Sequence, residues 1–185
     1  MQLEKRMYFF VPYNISPIQQ AIQAGHAALE YAHKFKDDPE YIDFVENHKT
    51  WIILNGGTTS TVKLSDYSGV DEPYLGSLDN LAHQLAQAGI KSSKFHEPDL
   101  NTALTAVCFI ADERVFNYKD YPEFDEWFCV QEYPDDTEQW TYSYMAMDPG
   151  TRSVKFPTQY KVWVDFMGGE ENVFLRELLK GKKLA

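Results

Sequence analysis

The sequence predicts an α/β protein: a three-layer sandwich whose four-stranded mixed sheet is flanked by helices, followed by an α-rich C-terminal extension. Three observations carry this prediction. Short apolar runs alternate with longer stretches of helical spacing. Their order is β-α-β-α-β-β, and two strands joined through a helix require a right-handed crossover. The link between the last two strands is short, so that pair reads as antiparallel. With 185 residues, 44% of them hydrophobic and 15% aromatic, the chain can bury a core of this size.

Met7-Tyr8-Phe9-Phe10-Val11 reads as a buried strand ending at Pro12. Ser16-Pro17 opens a helix: Ser16 suits the N-cap, Pro17 the first helical position, and Gln19 completes a capping box. Ile18, Ala21, Ile22, Gly25, Ala28, Leu29 and Ala32 recur at three and four residues, so this stripe is expected to face the core. Gln19, Gln23, His26, Glu30 and His33 form a second, polar stripe. Pro39 to Asn47 reads as a short helix, and Thr50 to Asn55 as a strand broken by Gly56-Gly57. Thr59 to Leu64 is expected to form a hairpin arm. Leu78 to Ala88 is a helix with core positions Leu78, Leu81, Leu85 and Ala88 and a stop at Gly89. Ser92 to His96 and Leu104 to Ala111 are the third and fourth strands. Residues 1–116 make one domain and residues 117–185 an acidic, aromatic extension packed on it. In that extension Tyr160 to Met167 and Asn172 to Leu179 read as helices, the second burying Val173, Leu175, Leu178 and Leu179, with a Lys-rich end suited to the helix dipole.

The net charge is −11, and Asp112 to Glu138 holds ten acidic residues against Arg114 and Lys119. Such a chain does not coat nucleic acid, because phosphate affinity comes from Lys and Arg. The acidic block is either a solvated face or, over residues 120–138, a docking surface for a basic protein. Trp127, Phe128, Tyr133 and Trp140 are interleaved with it, so the block is expected to be ordered. No apolar run approaches the ~20 residues of a membrane helix. The start lacks a long apolar signal segment, and two cysteines make no disulfide framework. The expected compartment is the cytoplasm.

In an open α/β sheet, ligands collect at the carboxyl ends of parallel strands. That nominates Pro12 to Gln19, Asn55 to Gly57 and Glu97 to Asn101, with Gln23 and His26 one turn apart beside the same crevice. Gln23-Ala24-Gly25-His26-Ala27-Ala28 is a small-residue helix carrying a Gln and, three positions on, a His-Ala pair. Together with the strand at Trp51 to Asn55, the helix at Leu78 to Ala88 and the strand leading to Glu97, it resembles the type II peptidyl-tRNA hydrolase family over roughly residues 6–112. The resemblance implies a four-stranded mixed sheet, frequent dimerisation, and metal-free, cofactor-free hydrolysis of the ester between a peptide and the 3′ ribose of tRNA. It assigns catalysis to His26 and Glu97, and substrate binding to Gln19, Gln23, Asp99 and Asn101. The departures are specific. The family's catalytic lysine falls on Gln19 and its companion lysine on Pro17. Its aspartate is Glu97, and the glycine, arginine and threonine that follow are Asp99, Leu100 and Asn101. Phe95 to Asn101 and Phe174 to Gly181 are similar to uncharacterised phage-encoded members of the fold, which would place the chain in a bacterial host cytoplasm.

Each candidate has a structural alternative. His26 fits a helix-face histidine bonded to a neighbouring loop, and Gln19 fits the capping box. Glu97 and Asp99 fit a turn around Pro98. His26, Glu30 and His33 have a spacing that permits a metal, but a solvated stripe explains them as well. Gly56 to Ser60 reads as a turn rather than a phosphate cradle, since it lacks the Lys-Ser/Thr ending of a P-loop. Cys108 lies in an apolar strand as packing, and the acidic surroundings of Cys129 argue against a nucleophile. The two leading functions are therefore an ester hydrolase, with tRNA as a partner disfavoured by acidity, and a catalytically inactive member of the fold that binds or inhibits a basic host factor. A third, weaker reading is a small-molecule or nucleotide binder using the strand-end crevice and the Gly56-Gly57 turn.

Overall fold

The computed structural model describes residues 2–59, 62–64, 72–74, 76–132 and 156–185. The chain divides into two compact units, Gln2–Ala111 with Lys180–Ala185, and Asp112–Leu179.

The first unit is the α/β sandwich. β1 (Lys5–Pro12) leads into α1 (Pro17–Phe35), α2 (Pro39–Asp43), a π-helical turn (Phe44–His48) and β2 (Thr50–Gly57). A short antiparallel pair follows, β3 (Val62–Leu64) with β4 (Glu72–Tyr74). Then come α3 (Ser77–Gln87), β5 (Ser92–Glu97), a 3₁₀ turn (Pro98–Leu100) and β6 (Ala103–Asp112). The main sheet has the order β2-β1-β6-β5; β1 and β2 are parallel, β5 and β6 antiparallel.

Strand alternation sets the layers. Met7, Phe9 and Val11 of β1 share a core with Ala24, Ala27 and Tyr31 of α1. Tyr8 and Phe10 turn to the other side, where both rings lie against Phe109, at 5.8 and 6.2 Å between centroids. Leu78, Leu81, Ala82 and Leu85 are the buried face of α3. A methyl group at Gly56 would lie 2.5 Å from Leu78 and 3.1 Å from Phe10 Cβ, so glycine is what lets β2 run past both. β2 therefore continues through Gly56-Gly57 instead of breaking there. Its outer edge is covered by the end of the chain: Asn55 N–H donates to Lys183 C=O at 3.0 Å and Ala185 N–H to Ile53 C=O at 3.1 Å.

α1 begins as the sequence predicts, with Ser16 as N-cap and the reciprocal Gln19 bond. Its rotation differs from the expected one. The buried positions are Gln20, Gln23, Ala24, Ala27 and Tyr31, while Ile18 is 72%, Ile22 49% and Leu29 69% exposed. Two stripes of helical period compete on this segment. The one with small residues wins because Ala24 and Ala27 allow close approach to the sheet, and because Gln23 and the Ala27 carbonyl find hydrogen-bonding side chains on β5 and β6.

The second unit contains α4 (Glu113–Phe116), α5 (Phe124–Glu132), α6 (Pro157–Phe166) and α7 (Glu170–Leu179). Phe124, Phe128 and Cys129 of α5 pack on Trp163 and Val164 of α6 and on Met167. Arg176, which the sequence places in a basic C-terminal stretch, is instead 1% exposed in α7. Its Nε donates to Glu123 at 3.2 Å and an Nη to the Arg114 carbonyl at 2.9 Å, with the guanidinium 3.9 Å from the Tyr118 ring centroid. Asp112 accepts from Arg114 at 2.6 Å, so part of the acidic block is neutralised within its own unit. The sequence expectations for residues 133–138 and for the start of the hairpin arm at Ser60-Thr61 lie outside the described residues.

Candidate functional site

The candidate site is built where α1 crosses β5. Gln20 donates to the Pro12 carbonyl at 3.0 Å, which fixes the start of α1 at the carboxyl end of β1. The helix then runs back along β5, from Glu97 beside Gln23 to Ser92 beside Lys34. Alternate β5 residues meet it in turn: Ser93 Oγ donates to the Ala27 carbonyl at 2.7 Å, Phe95 stacks on His26, and Glu97 receives Gln23. The carboxyl ends of β1, β2 and β5 therefore share one rim.

Gln23 is the hub. Its Nε2 donates to Glu97 Oε2 at 2.7 Å, and its Oε1 accepts from the Thr105 hydroxyl at 2.6 Å. An ionised carboxylate only accepts, so the amide group must turn its NH₂ toward Glu97; this leaves the Oε1 to Thr105, whose hydroxyl must then donate. Gln23 is 7% exposed and Thr105 fully buried, so the pair forms a fixed floor. Glu97 is half-buried, and Gln23 is its only hydrogen-bond partner among the described residues. Its Oε1 is thus available to a ligand or a water.

His26, one turn after Gln23, is half-buried with its ring 4.4 Å from Phe95 and inclined by 19°. Stacking fixes the plane of the imidazole, and neither ring nitrogen is hydrogen-bonded among the described residues. The structure thus places His26 and Glu97 on the same side of the sheet, held by Phe95 and Gln23.

The other nominated residues lie elsewhere on the rim. Gln19 is exposed, and its Oε1 is committed to the cap, accepting from Ser16 N–H at 3.0 Å and Ser16 Oγ at 2.9 Å. Asp99 is exposed in the 3₁₀ turn. Asn101, in the left-handed conformation, opens toward a hollow of about 360 Å³ that it shares with Thr59, Asp79, His96, Leu100 and Thr102. That hollow flanks α3, whereas Glu97 faces α1. At the Gly56-Gly57 end of β2, Asn55 Oδ1 takes the Gly57 N–H and Ser77 Oγ the Thr58 N–H. Two of the backbone donors a phosphate cradle would need are therefore used.

Among the described residues no three His, Cys, Asp or Glu side chains converge as a metal site, and Glu30 and His33 line a different hollow farther along α1. No Lys or Arg among the described residues pairs with Glu97. Lys36 closes the far end of α1 beside Asp37, and Lys49 precedes β2 at the opposite edge of the sheet. Cys108 is buried beneath α1, donating to the Ala27 carbonyl at 3.3 Å, and burial pushes its thiol up to about 12. Sequence reasoning did not single out Thr105 or Phe95. Thr105 carried a readable signal, since a hydroxyl in an otherwise apolar strand needs a buried partner.

No protein-family model matches the chain, and neither does any curated protein.

Proposed function

We propose that the chain is a hydrolase similar to the type II peptidyl-tRNA hydrolases, acting on a peptidyl or aminoacyl ester at the rim formed by Gln23, His26 and Glu97. The observation that carries this reading is the 2.7 Å bond from Gln23 to Glu97, which restrains one carboxylate oxygen and leaves the other to a water. In this reading Glu97 takes a proton from that water as its oxygen bonds to the ester carbonyl carbon. The bond to the ribose oxygen then breaks, and His26 supplies the proton that the leaving oxygen needs. Gln23 and Thr105 are positioning residues that keep the carboxylate still. The mixed four-stranded sheet and the Gln23 to Ala28 helix support the reading. Its test is release of a labelled peptide from peptidyl-tRNA by the wild type and by His26→Ala. Turnover that drops in the variant supports it, and a wild type no faster than the blank removes it.

A second reading is favoured by the missing cation. A developing oxyanion without a positive or hydrogen-bonding donor forgoes roughly 2.7–4 kcal/mol per donor, and no Lys or Arg pairs at Glu97 among the described residues. In that reading the chain keeps the fold, performs no hydrolysis, and binds a basic protein through residues 120–138. Pull-down with that stretch neutralised separates the two. Undiminished recovery of the partner counts against the acidic surface.

A further inference from the structure

We infer that the open edge of β5 is a docking groove for an extended acidic peptide, which adds to the sheet as a fifth strand. β5 is terminal in the order β2-β1-β6-β5, so one of its edges has no strand partner among the described residues. The opposite edge shows that this sheet accepts an added extended segment, because residues 183–185 already bond to β2. At the β5 edge the two helical layers stand back and leave a hollow of about 670 Å³. Its walls include Glu30, His33 and Lys34 from α1, Ile90 from the link between α3 and β5, and Ser92 and Lys94 from β5.

Charge selects the occupant. On a protein of net charge −11, this hollow carries two lysines and a histidine against one glutamate. The lysines flank the edge from opposite sides. Lys34 reaches over from α1 and donates to the Ser92 carbonyl at 3.1 Å. Lys94 is exposed and points away from α1, since its neighbours Ser93 and Phe95 both face that helix. A docked strand turns successive side chains to opposite faces, so acidic residues at adjacent positions meet Lys34 and Lys94 at once. Backbone pairing supplies affinity, and the two lysines supply the choice of an acidic sequence. This inference stands apart from the chemistry at the rim.

The test uses the full chain and a fluorescent peptide, Thr-Val-Glu-Asp-Val-Thr. Its companions are a neutral copy (Gln-Asn at the centre), a basic copy (Lys-Lys at the centre) and a copy with proline at the second valine. We expect saturable binding of the acidic peptide, with backbone amide shifts confined to Ser92 to Glu97 and the α1 and α3 positions beside them. Proline should abolish it. Lys34→Glu with Lys94→Glu, both on the surface and checked by circular dichroism, should weaken it about tenfold or more and should gain the basic copy. Absence of saturable binding overturns the proposal. So does binding indifferent to proline or to charge reversal, and so does a dimer formed through β5 that the peptide does not open.

Discussion

Gln23 of α1 donates to Glu97 of β5 across 74 residues of chain, and the same amide accepts from the buried hydroxyl of Thr105. One side chain therefore joins a helix, an edge strand and the strand beside it. It also fixes the carboxylate on which the proposed chemistry depends.

Removing Thr105 alone should be costly. Thr105→Val keeps the shape but leaves Gln23 Oε1 without its donor in a buried site. The expected loss is about 1–3 kcal/mol, measured by urea unfolding. Adding Gln23→Leu removes the stranded amide as well, so the double variant should lose less than the sum of the two single losses.

The capping box gives a second prediction. Ser16 and Gln19 satisfy each other's backbone groups at the start of α1. Ser16→Ala should lower stability by about 0.5–2 kcal/mol, and Gln19→Ala should lower it too, because the two bonds are reciprocal. Thermal unfolding of both variants provides the check.

Arg176 should be the most sensitive position of the second unit. It is buried on Glu123, the Arg114 carbonyl and Tyr118. Arg176→Ala removes these bonds and opens a cavity, at a cost of roughly 2–5 kcal/mol. Arg176→Lys should recover only part of it, since an ammonium cannot reproduce the fork and the ring stacking. Loss of the near-ultraviolet signal from Trp163 in denaturant reports on both variants.

Asp43 and Cys108 each make stability depend on pH, one at the acid end and one at the alkaline end. The hydrogen bond from Lys5 holds the Asp43 carboxyl down at about 2. Its contribution is complete above the unfolded value near 3.8 and fades as pH falls toward 2, so Asp43→Asn should flatten the acid limb between about pH 4 and 2. Burial pushes Cys108 up from 9.0 to about 12. The unfolded thiol ionises first, so stability present below pH 9 should decline as pH rises toward 12, and Cys108→Ala should reduce that slope. In native protein at pH 8, Cys108 should resist alkylation until the fold opens.

The four strands of the main sheet and the start of α1 were legible because local chemistry writes them, whereas α6 and α7 begin earlier, at Pro157 and Glu170, than the expected Tyr160 and Asn172. Met7 to Val11 is an apolar run, Ser16-Pro17 with Gln19 is a cap, and Gly89 closes α3 at a φ of 75°. The rotation of α1 was not legible. Ile18, Ile22 and Leu29 make the stronger apolar stripe, and the close approach of Ala24 and Ala27 to the sheet together with the polar partners on β5 and β6 turns Gln23, Ala24 and Ala27 inward. The burial of Arg176 was not legible either, because its partners Glu123 and Arg114 are distant in sequence. His26 and Glu97 could be nominated from strand-end position, but Phe95, which fixes the plane of the His26 ring, becomes visible only through contacts between elements.

The most direct test is single-turnover hydrolysis of a peptidyl-tRNA ester by the wild type and by Glu97→Gln, whose amide has the shape of the carboxylate but cannot take a proton. The account predicts a rate at least about 10²-fold lower in the variant with unchanged thermal stability. Equal rates, or a wild type that releases no peptide, would contradict it.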